Sequence, residues 1–181
     1  ANNRIFVVDP NFYRSGMSGS LKTQYTIETL VQKFFPFGSG IELLAFEVIA
    51  VPIWFPNGHW ALGVCDLFNE TCELYDSLPK GSDADTAREF ANDMEGFFTE
   101  YAEFFKCPVR PPRVASFQRY VNEDPLSKTK YPRQQDGHSC GILMLIALEC
   151  RAKHMPVALD TSEAEMRKMR SRLTLLLATG M

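Results

Sequence analysis

YPRQQDGHSCGILML, residues 131–145, joins a polar turn to an apolar helix at a single cysteine. The proline and Gly137 mark the turn. The segment 141–148 contains no polar residue, so we predict a helix that is buried nearly all round. Cys140 would open this helix, where free backbone N–H groups and the helix dipole favour the thiolate. The stretch therefore predicts a cysteine nucleophile.

Two glutamines lie shortly before this cysteine. Gln134 and Gln135 each carry a side-chain amide that could reach the thiol from the turn. An amide NH2 group placed there can donate a hydrogen bond to the oxyanion that forms when a thiolate attacks a carbonyl carbon. The residues alone therefore predict an oxyanion donor in this turn and leave open which glutamine supplies it.

The composition is that of an ordinary globular domain. The chain has 181 residues, of which 45% are hydrophobic and 23% are charged, and its net charge is −3. We therefore predict one domain over residues 1–181, and the negative charge argues against nucleic acid as a partner. We expect a monomer. We also expect no membrane contacts, because no apolar run has the length of a membrane span and no signal segment opens the chain. A start at Ala1 rather than Met is compatible with a tag, a processing event or a longer parent that loses an N-terminal segment here.

The five cysteines do not form a disulfide framework. They are Cys65, Cys72, Cys107, Cys140 and Cys150. An odd number without close spacing favours a reducing compartment, so we expect an intracellular protein, nuclear or cytoplasmic. No C-x-x-C pair is present, and the spacings do not fit zinc. We therefore predict no metal and no cofactor.

Hydrophobic periodicity predicts an α+β fold. Helices are predicted at 21–35, at 83–105 with Asp83 or Asp85 as the cap, from Cys140 onward, and at about 162–177. Strands are predicted at 5–8, 41–53, 59–67, 72–76 and 109–121, and a polar loop at 124–133. The result is a mixed sheet flanked by helices, without repeats or an internal domain boundary.

One hairpin in this pattern carries two further polar candidates. His59 starts one predicted strand, and Asp76 ends its partner after a turn at 69–71. Because the two strands are antiparallel, both side chains approach the same open end of the hairpin, although counting from the turn aligns them only approximately. Cysteine acyl transfer needs an imidazole to exchange protons with the thiol and a carboxylate to orient that imidazole. His59 and Asp76 are the natural candidates.

Three motifs together resemble a known family. HWALGVCD, LYDSL and QQDGHSCGI are similar to the motifs of the cysteine proteases that remove SUMO and related ubiquitin-like modifiers, the sentrin-specific proteases. The resemblance runs from about residue 41 to the final helix. It implies a papain-like cysteine protease variant, with a mixed central sheet flanked by helices and the nucleophile at a helix N-terminus.

The resemblance also implies roles for individual residues. His59 resembles the general base, Asp76 its orienting carboxylate and Cys140 the nucleophile. Gln134, six residues before the cysteine, resembles the oxyanion glutamine. Trp60 resembles the tryptophan that covers the diglycine tail of the substrate, although a tryptophan in a strand is as often a core residue.

The implied activity is that of a thiol protease or isopeptidase that cleaves after the C-terminal Gly-Gly of a ubiquitin-like modifier. The implied partners are SUMO-like or other ubiquitin-like modifiers and their conjugates. Two departures from the family pattern are visible. The family usually has a tryptophan in an N-terminal segment, whereas no tryptophan precedes Trp54 here, and Ser139 stands where the family commonly has aspartate.

Two other function classes compete with this interpretation. Bacterial effector acetyltransferases, which act inside a host cell, use the same kind of Cys/His/Asp triad, but they also need a coenzyme A site, and the sequence shows no obvious one. A non-catalytic module that binds modifiers is the second alternative, and the intact set of candidate residues argues against it. His138, two residues before the cysteine, is interpreted as a solvent-exposed loop residue rather than the base.

Overall fold

The computed structural model describes residues 5–13, 25–35, 43–78, 84–107, 116–120, 131–157 and 160–179. Every candidate site residue lies within these ranges. Several sequence predictions fall partly outside them. They are the start of the first helix at 21–24, the start of the second strand at 41–42, the cap at Asp83, the strand ends at 109–115 and 121, and the polar loop at 124–130.

The described elements form the predicted α+β arrangement. The strands are β1 (Ile5–Val7), β2 (Val48–Phe55), β3 (His59–Asp66), β4 (Thr71–Tyr75) and β5 (Ser116–Tyr120). The helices are α1 (Ile27–Phe34), α2 (Ala84–Phe104), α3 (Cys140–Ala152) and α4 (Glu163–Thr179). No helix in this part of the chain is both long enough and apolar enough to cross a membrane.

One strand boundary differs from its prediction. The second strand was expected at 41–53, but it begins at Val48 and continues to Phe55. Residues Leu43–Ala45 instead form one 3-10 turn that buries the Leu43 side chain completely. A short apolar run fits a buried turn as well as a strand, so periodicity alone cannot separate the two.

The sheet is mixed, with its strands in the spatial order β1-β2-β3-β4-β5. The central strand β3 is antiparallel to both β2 and β4, whereas the edge strands β1 and β5 pair in parallel with β2 and β4. In the central hairpin, Leu62 lies opposite Tyr75 and Asp66 lies opposite Thr71. This register places the beginning of β3 and the end of β4 at the same end of the hairpin.

Both faces of the sheet are buried, which explains why β3 is apolar along most of its length. Ala61 and Cys65 belong to the core cluster that includes α1 and α2. Leu62 and Val64, which point to the opposite face, belong to a second cluster with Leu143 of α3. A strand covered on both sides has no solvent-facing row, so it shows a continuous apolar run instead of alternation.

Gly63 lets helix α2 approach the centre of β3. A Cβ atom built at Gly63 would lie 2.2 Å from Cζ of Phe90, whose ring is buried against the strand. No side chain other than hydrogen fits between strand and ring, so the glycine sets the distance between sheet and helix.

The helix α3 is less completely buried than its sequence predicts. Cys140, Leu143 and Met144 are buried, but Leu145 is 39% exposed and Ile142 is half-buried. The prediction of burial nearly all round is therefore wrong for one face. That face borders a surface groove, and its apolar residues line the groove instead of entering the core.

Candidate active site

His59 and Asp76 form a buried pair at the open end of the hairpin that β3 and β4 make. His59 Nε2 lies 2.5 Å from Asp76 Oδ1, and the two residues are 4% and 1% exposed. The hairpin register only brings them near each other, because Asp76 follows the last paired residue of β4. The backbone N–H of Leu78 donates to Asp76 Oδ1 at 2.8 Å, which turns the chain out of the strand and holds the carboxylate beside the imidazole.

The other ring nitrogen of His59 has a different environment. Nδ1 is buried and has no hydrogen-bond partner among the residues that the structure describes. The ring is stacked on Phe55, its cross-strand neighbour, at a centroid distance of 5.9 Å. A buried imidazole nitrogen without a partner is unusual, because buried polar atoms in folded proteins are nearly always hydrogen-bonded. This nitrogen is therefore available to a reacting group.

Cys140 is the first residue of α3 and is 6% exposed. It lines an open groove of about 540 Å³ together with both tryptophans of the chain and residues of the preceding turn. The remaining lining residues are Gly58, Gly137, His138, Gly141, Ile142, Met144 and Leu145. The cysteine thus lines a largely apolar groove that a chain segment could enter.

Three contacts between neighbouring residues bring the predicted site residues into one region. A Cβ atom built at Gly141 would lie 3.6 Å from Cδ1 of Trp60, so the residues that follow Cys140 and His59 are in contact. The backbone N–H of Gln134 donates to the Ser77 carbonyl at 3.1 Å. The loop before the cysteine is therefore tied to the residue that follows Asp76.

Tyr131 gives a third link between the same elements. It is buried and packs against Tyr75, the residue before Asp76, at a centroid distance of 5.4 Å. The pKa of its hydroxyl is raised, first by burial and then by the nearby acidic groups of the site. The packing of Tyr131 on Tyr75 therefore joins the start of the loop before Cys140 to the end of β4, next to Asp76.

The side-chain amide of Gln134 is fixed at both ends. Its Oε1 accepts a hydrogen bond from the Ser77 hydroxyl at 2.9 Å, and its Nε2 donates to the carbonyl of Asp136 at 2.7 Å. An amide NH2 group has two N–H donors, so one remains for a further acceptor. Gln135, by contrast, is exposed and its Nε2 donates to the Thr161 hydroxyl at 3.3 Å.

Asp136 holds the turn between this glutamine and the cysteine. Its Oδ1 accepts the backbone N–H groups of His138 and Ser139, at 3.0 and 2.7 Å. Its Oδ2 accepts the Ser139 hydroxyl at 2.6 Å and lies 3.3 Å from Nη2 of Arg170. Burial alone would raise the pKa of this carboxyl, but the hydrogen bonds from Ser139 and His138 lower it to about 2.

Trp54 and Trp60 lie side by side along the groove. They are directly opposite in the β2–β3 register, with ring centroids 4.9 Å apart. Both are half-buried, so Trp60 is not an ordinary core tryptophan. Trp54, which the sequence did not single out, is therefore part of the same surface.

His138 and the other described thiols have less suitable environments for a reactive role. The His138 side chain is 72% exposed and lies 3.6 Å from Asp136, as a loop histidine would. Cys65 and Cys72 are buried opposite each other with their sulfur atoms 3.2 Å apart, and burial raises the pKa of the Cys65 thiol. Burial also raises the pKa of the Cys150 thiol, which is half-buried.

Sequence reasoning missed three polar residues that contact the predicted ones. Ser77 directly follows Asp76 within the LYDSL motif, so its position next to a candidate carboxylate was a signal that could have been used. Asp136 lies inside the turn that was singled out. Arg170 has no comparable signal, since it is one of several basic residues on a surface helix, and only tertiary contacts select it.

The comparisons with known proteins agree with this geometry. The sequence model of the C-terminal catalytic domain of the Ulp1 protease family matches residues 3–179. No curated protein matches the chain in sequence. Among solved structures, the SUMO protease Ulp1 with its catalytic cysteine oxidised to a sulfenic acid is 20% identical, with a TM-score of 0.69 over 99% of this chain and 70% of that one.

Two further structures have the same fold. The C-terminal Ulp1 protease domain in complex with Smt3, the yeast ortholog of SUMO, is 18% identical, with a TM-score of 0.61 over 99% of this chain and 70% of that one. The effector protein XopD of Xanthomonas campestris, bound to ubiquitin, is 16% identical, with a TM-score of 0.53 over 94% of this chain and 78% of that one. These similarities confirm the α+β, papain-like fold that the sequence predicts.

Proposed function

This chain belongs to the Ulp1 protease family, and from that membership together with the site geometry we infer that it cleaves ubiquitin-like modifiers of the SUMO class from their conjugates or precursors. Because the family consists of cysteine proteases, the chain is a cysteine-type peptidase. The proposed reaction is hydrolysis of the peptide or isopeptide bond that follows the C-terminal Gly-Gly of the modifier. The complexes of the Ulp1 domain with Smt3 and of XopD with ubiquitin support a modifier as the partner.

The observation that carries this proposal is the buried Nδ1 of His59, which has no hydrogen-bond partner in the described part of the chain. Its Nε2–H donates to the Asp76 carboxylate, which leaves the Nδ1 lone pair to accept a proton. In the proposed mechanism, Nδ1 takes the proton of the Cys140 thiol, and the thiolate attacks the carbonyl carbon of the terminal glycine. Asp76 stabilises the imidazolium that results and keeps the ring in place.

Gln134 is the proposed oxyanion donor. While Ser77 and the Asp136 carbonyl hold the amide, its second N–H is available to the carbonyl oxygen of the substrate as negative charge develops there. When the tetrahedral intermediate collapses, the C–N bond breaks and the leaving amine takes the proton from His59 Nδ1. Water, deprotonated by the same nitrogen, then hydrolyses the thioester and regenerates the Cys140 thiol.

Trp60 is proposed to cover the glycine tail. Its indole lies along the groove that contains Cys140, beside the first turn of α3. Glycine has no Cβ, so a Gly-Gly tail is the narrowest extended chain that a protein substrate can present beneath an indole ring. Specificity for Gly-Gly would follow from the width of this groove.

Covalent probes test the proposal directly. The chain is incubated with a panel of SUMO, ubiquitin and other modifiers that carry a C-terminal vinyl sulfone, and adducts are detected by mass. We expect an adduct with at least one modifier, located at Cys140 and absent from Cys140→Ala. A chain that forms no adduct with any modifier, or one that is modified at Cys65 or Cys72, would contradict the assignment.

The same assay separates the alternative functions. A non-catalytic binding module would bind a modifier without forming an adduct. An acetyltransferase would form an acyl-enzyme with acetyl coenzyme A and pass the acetyl group to a hydroxyl or amine, which intact-mass measurement detects. Cys140→Ala should retain modifier binding, because the substitution removes only the sulfur atom from the groove.

A further inference from the structure

The turn before Cys140 is held by a residue from a distant helix. Arg170 lies in α4, 31 positions after Ser139, and its Nη2 lies 2.5 Å from the Ser139 hydroxyl and 3.3 Å from Asp136 Oδ2. The arginine side chain is 31% exposed, and Ser139 is 1% exposed. A guanidinium group that bridges a buried hydroxyl and a carboxylate fixes both, because its donors are planar and rigid.

This contact differs from an arginine pair one turn earlier in the same helix. Arg167, three residues earlier, pairs with Glu163 within α4 at 2.6 Å, and its side chain is 70% exposed. Such an exposed pair within one helix contributes little to stability and restrains no other element. Arg170 is the one that reaches from the helix to the turn.

The turn connects the two groups that the proposed reaction requires. The carboxylate of Asp136 holds the backbone of Ser139, the residue directly before the nucleophile. The main-chain carbonyl of the same aspartate accepts the amide N–H of Gln134. A movement of Asp136 therefore displaces both the start of α3 and the oxyanion donor.

We propose that Arg170 is a positioning residue for the nucleophile turn. By bridging Asp136 and Ser139, it sets the relative placement of Cys140 and Gln134, and so it links helix α4 to catalysis without touching the substrate. The inference rests on the proposed function, because it assigns Gln134 and Cys140 to the reaction. Small displacements of reacting groups cost catalysis more than they cost binding, so the loss should fall on kcat.

Three variants of the full chain test this role. Arg170→Met keeps an unbranched apolar stem but removes every donor, Arg170→Lys keeps one charged group that can reach a single acceptor, and Arg167→Met is the matched control on the same helix. Turnover is measured on a modifier precursor, thermal unfolding is measured for each variant, and the rate of iodoacetamide alkylation at Cys140 is followed by peptide mass.

We expect Arg170→Met to lower kcat about tenfold, with KM changed less than about twofold. Alkylation of Cys140 should slow several-fold, because the thiol no longer stays at the helix start, where backbone N–H groups favour the thiolate. Arg170→Lys should recover part of both losses. Arg167→Met should match the unmodified chain in kcat, KM and alkylation rate.

A double variant tests whether Arg170 acts through its contact with Asp136. Asp136→Asn keeps the side-chain shape but weakens the charged acceptor, so combining it with Arg170→Met should cost little more than either change alone. Independent, multiplying losses would overturn the proposal, as would a kcat for Arg170→Met equal to that of Arg167→Met. Should Arg170→Met unfold at the assay temperature, Arg170→Lys and Asp136→Asn give the same comparison.

Failure of the positioning role is distinguishable from failure of the proposed function. Alkylation uses iodoacetamide and needs no modifier, so the effect of Arg170 on Cys140 can be measured even if no modifier is a substrate. If the unmodified chain reacts with modifier probes while Arg170→Met leaves kcat and the alkylation rate unchanged, that result would support the proposed function and contradict the positioning role of Arg170.

Discussion

At the scale of single residues, the amide of Gln134 is held in one orientation. This predicts that substitutions of Gln134 and Gln135 lower kcat by unequal amounts. Gln134→Ala should lower kcat by about 10²–10³ with little change in KM, because it removes a donor that acts only on the developing oxyanion. Gln135→Ala is the matched control, since Gln135 is exposed and contacts Thr161. Steady-state kinetics on one modifier fusion decides. Equal losses at both positions would mean that the turn is merely structural or that the wrong glutamine has been assigned.

Ser77 should matter through Gln134 alone. Its hydroxyl donates to Gln134 Oε1. This hydrogen bond keeps the amide oxygen directed toward Ser77 and the NH2 group directed away from it. Ser77→Ala should reduce kcat about twofold to tenfold, by an amount similar to the loss of one neutral hydrogen bond. In a Gln134→Ala background the same change should have almost no further effect on kcat. A full additional loss in the double variant would show that Ser77 acts on some other group.

At the scale of elements, Gly63 controls the contact between β3 and α2. Gly63→Ala should lower the free energy of unfolding by ~1–3 kcal/mol, because the added methyl group overlaps the Phe90 ring. Gly96→Ala is the control within α2, where nothing lies within 4 Å, and it should stabilise the chain by ~0.5–1 kcal/mol. Urea unfolding measures both. Similar effects of the two substitutions would contradict the close strand–helix contact.

The turn before α3 should respond to acid in a defined range. Asp136 has a pKa of about 2, below its ordinary 3.8, and the basic side chains that face it are Arg170 and His138. A lowered folded-state pKa contributes stability above about pH 4 that is lost as the pH falls toward 2. The stability difference between the unmodified chain and Asp136→Asn should therefore be constant from pH 7 to 5 and shrink between pH 4 and 3. Urea unfolding that shows a constant difference down to pH 3 would contradict this assignment.

At the scale of the whole molecule, the groove brings residues from two strands and one helix to the same thiol, and its width should select the substrate. A modifier fusion that ends in Gly-Gly should be cleaved with a kcat/KM about tenfold to a hundredfold above its Gly-Ala counterpart, because a methyl group beneath the Trp60 indole costs ~1–3 kcal/mol. Trp60→Ala should reduce this preference. Trp54→Ala tests whether the neighbouring ring supports the same wall. Comparable rates for both fusions in the unmodified chain would remove the reason to propose a Gly-Gly tunnel.

Much of this molecule follows from local sequence. The apolar run after Cys140 forms a helix that starts at the cysteine, and the His59 and Asp76 strands form a hairpin, because periodicity and turn residues act over short distances. The strand predicted at 41–53 was misplaced, since a short apolar run fits either a strand or a buried turn.

Other features were decided only by the tertiary structure. Counting residues brings His59 and Asp76 near each other, but the turn made by Leu78 completes their contact. The link from Arg170 to the nucleophile turn joins residues that are 31 and 34 positions apart. Periodicity shows which side of a helix is apolar, whereas the partner of a charged residue depends on how separate elements pack, and no spacing within one element contains that information.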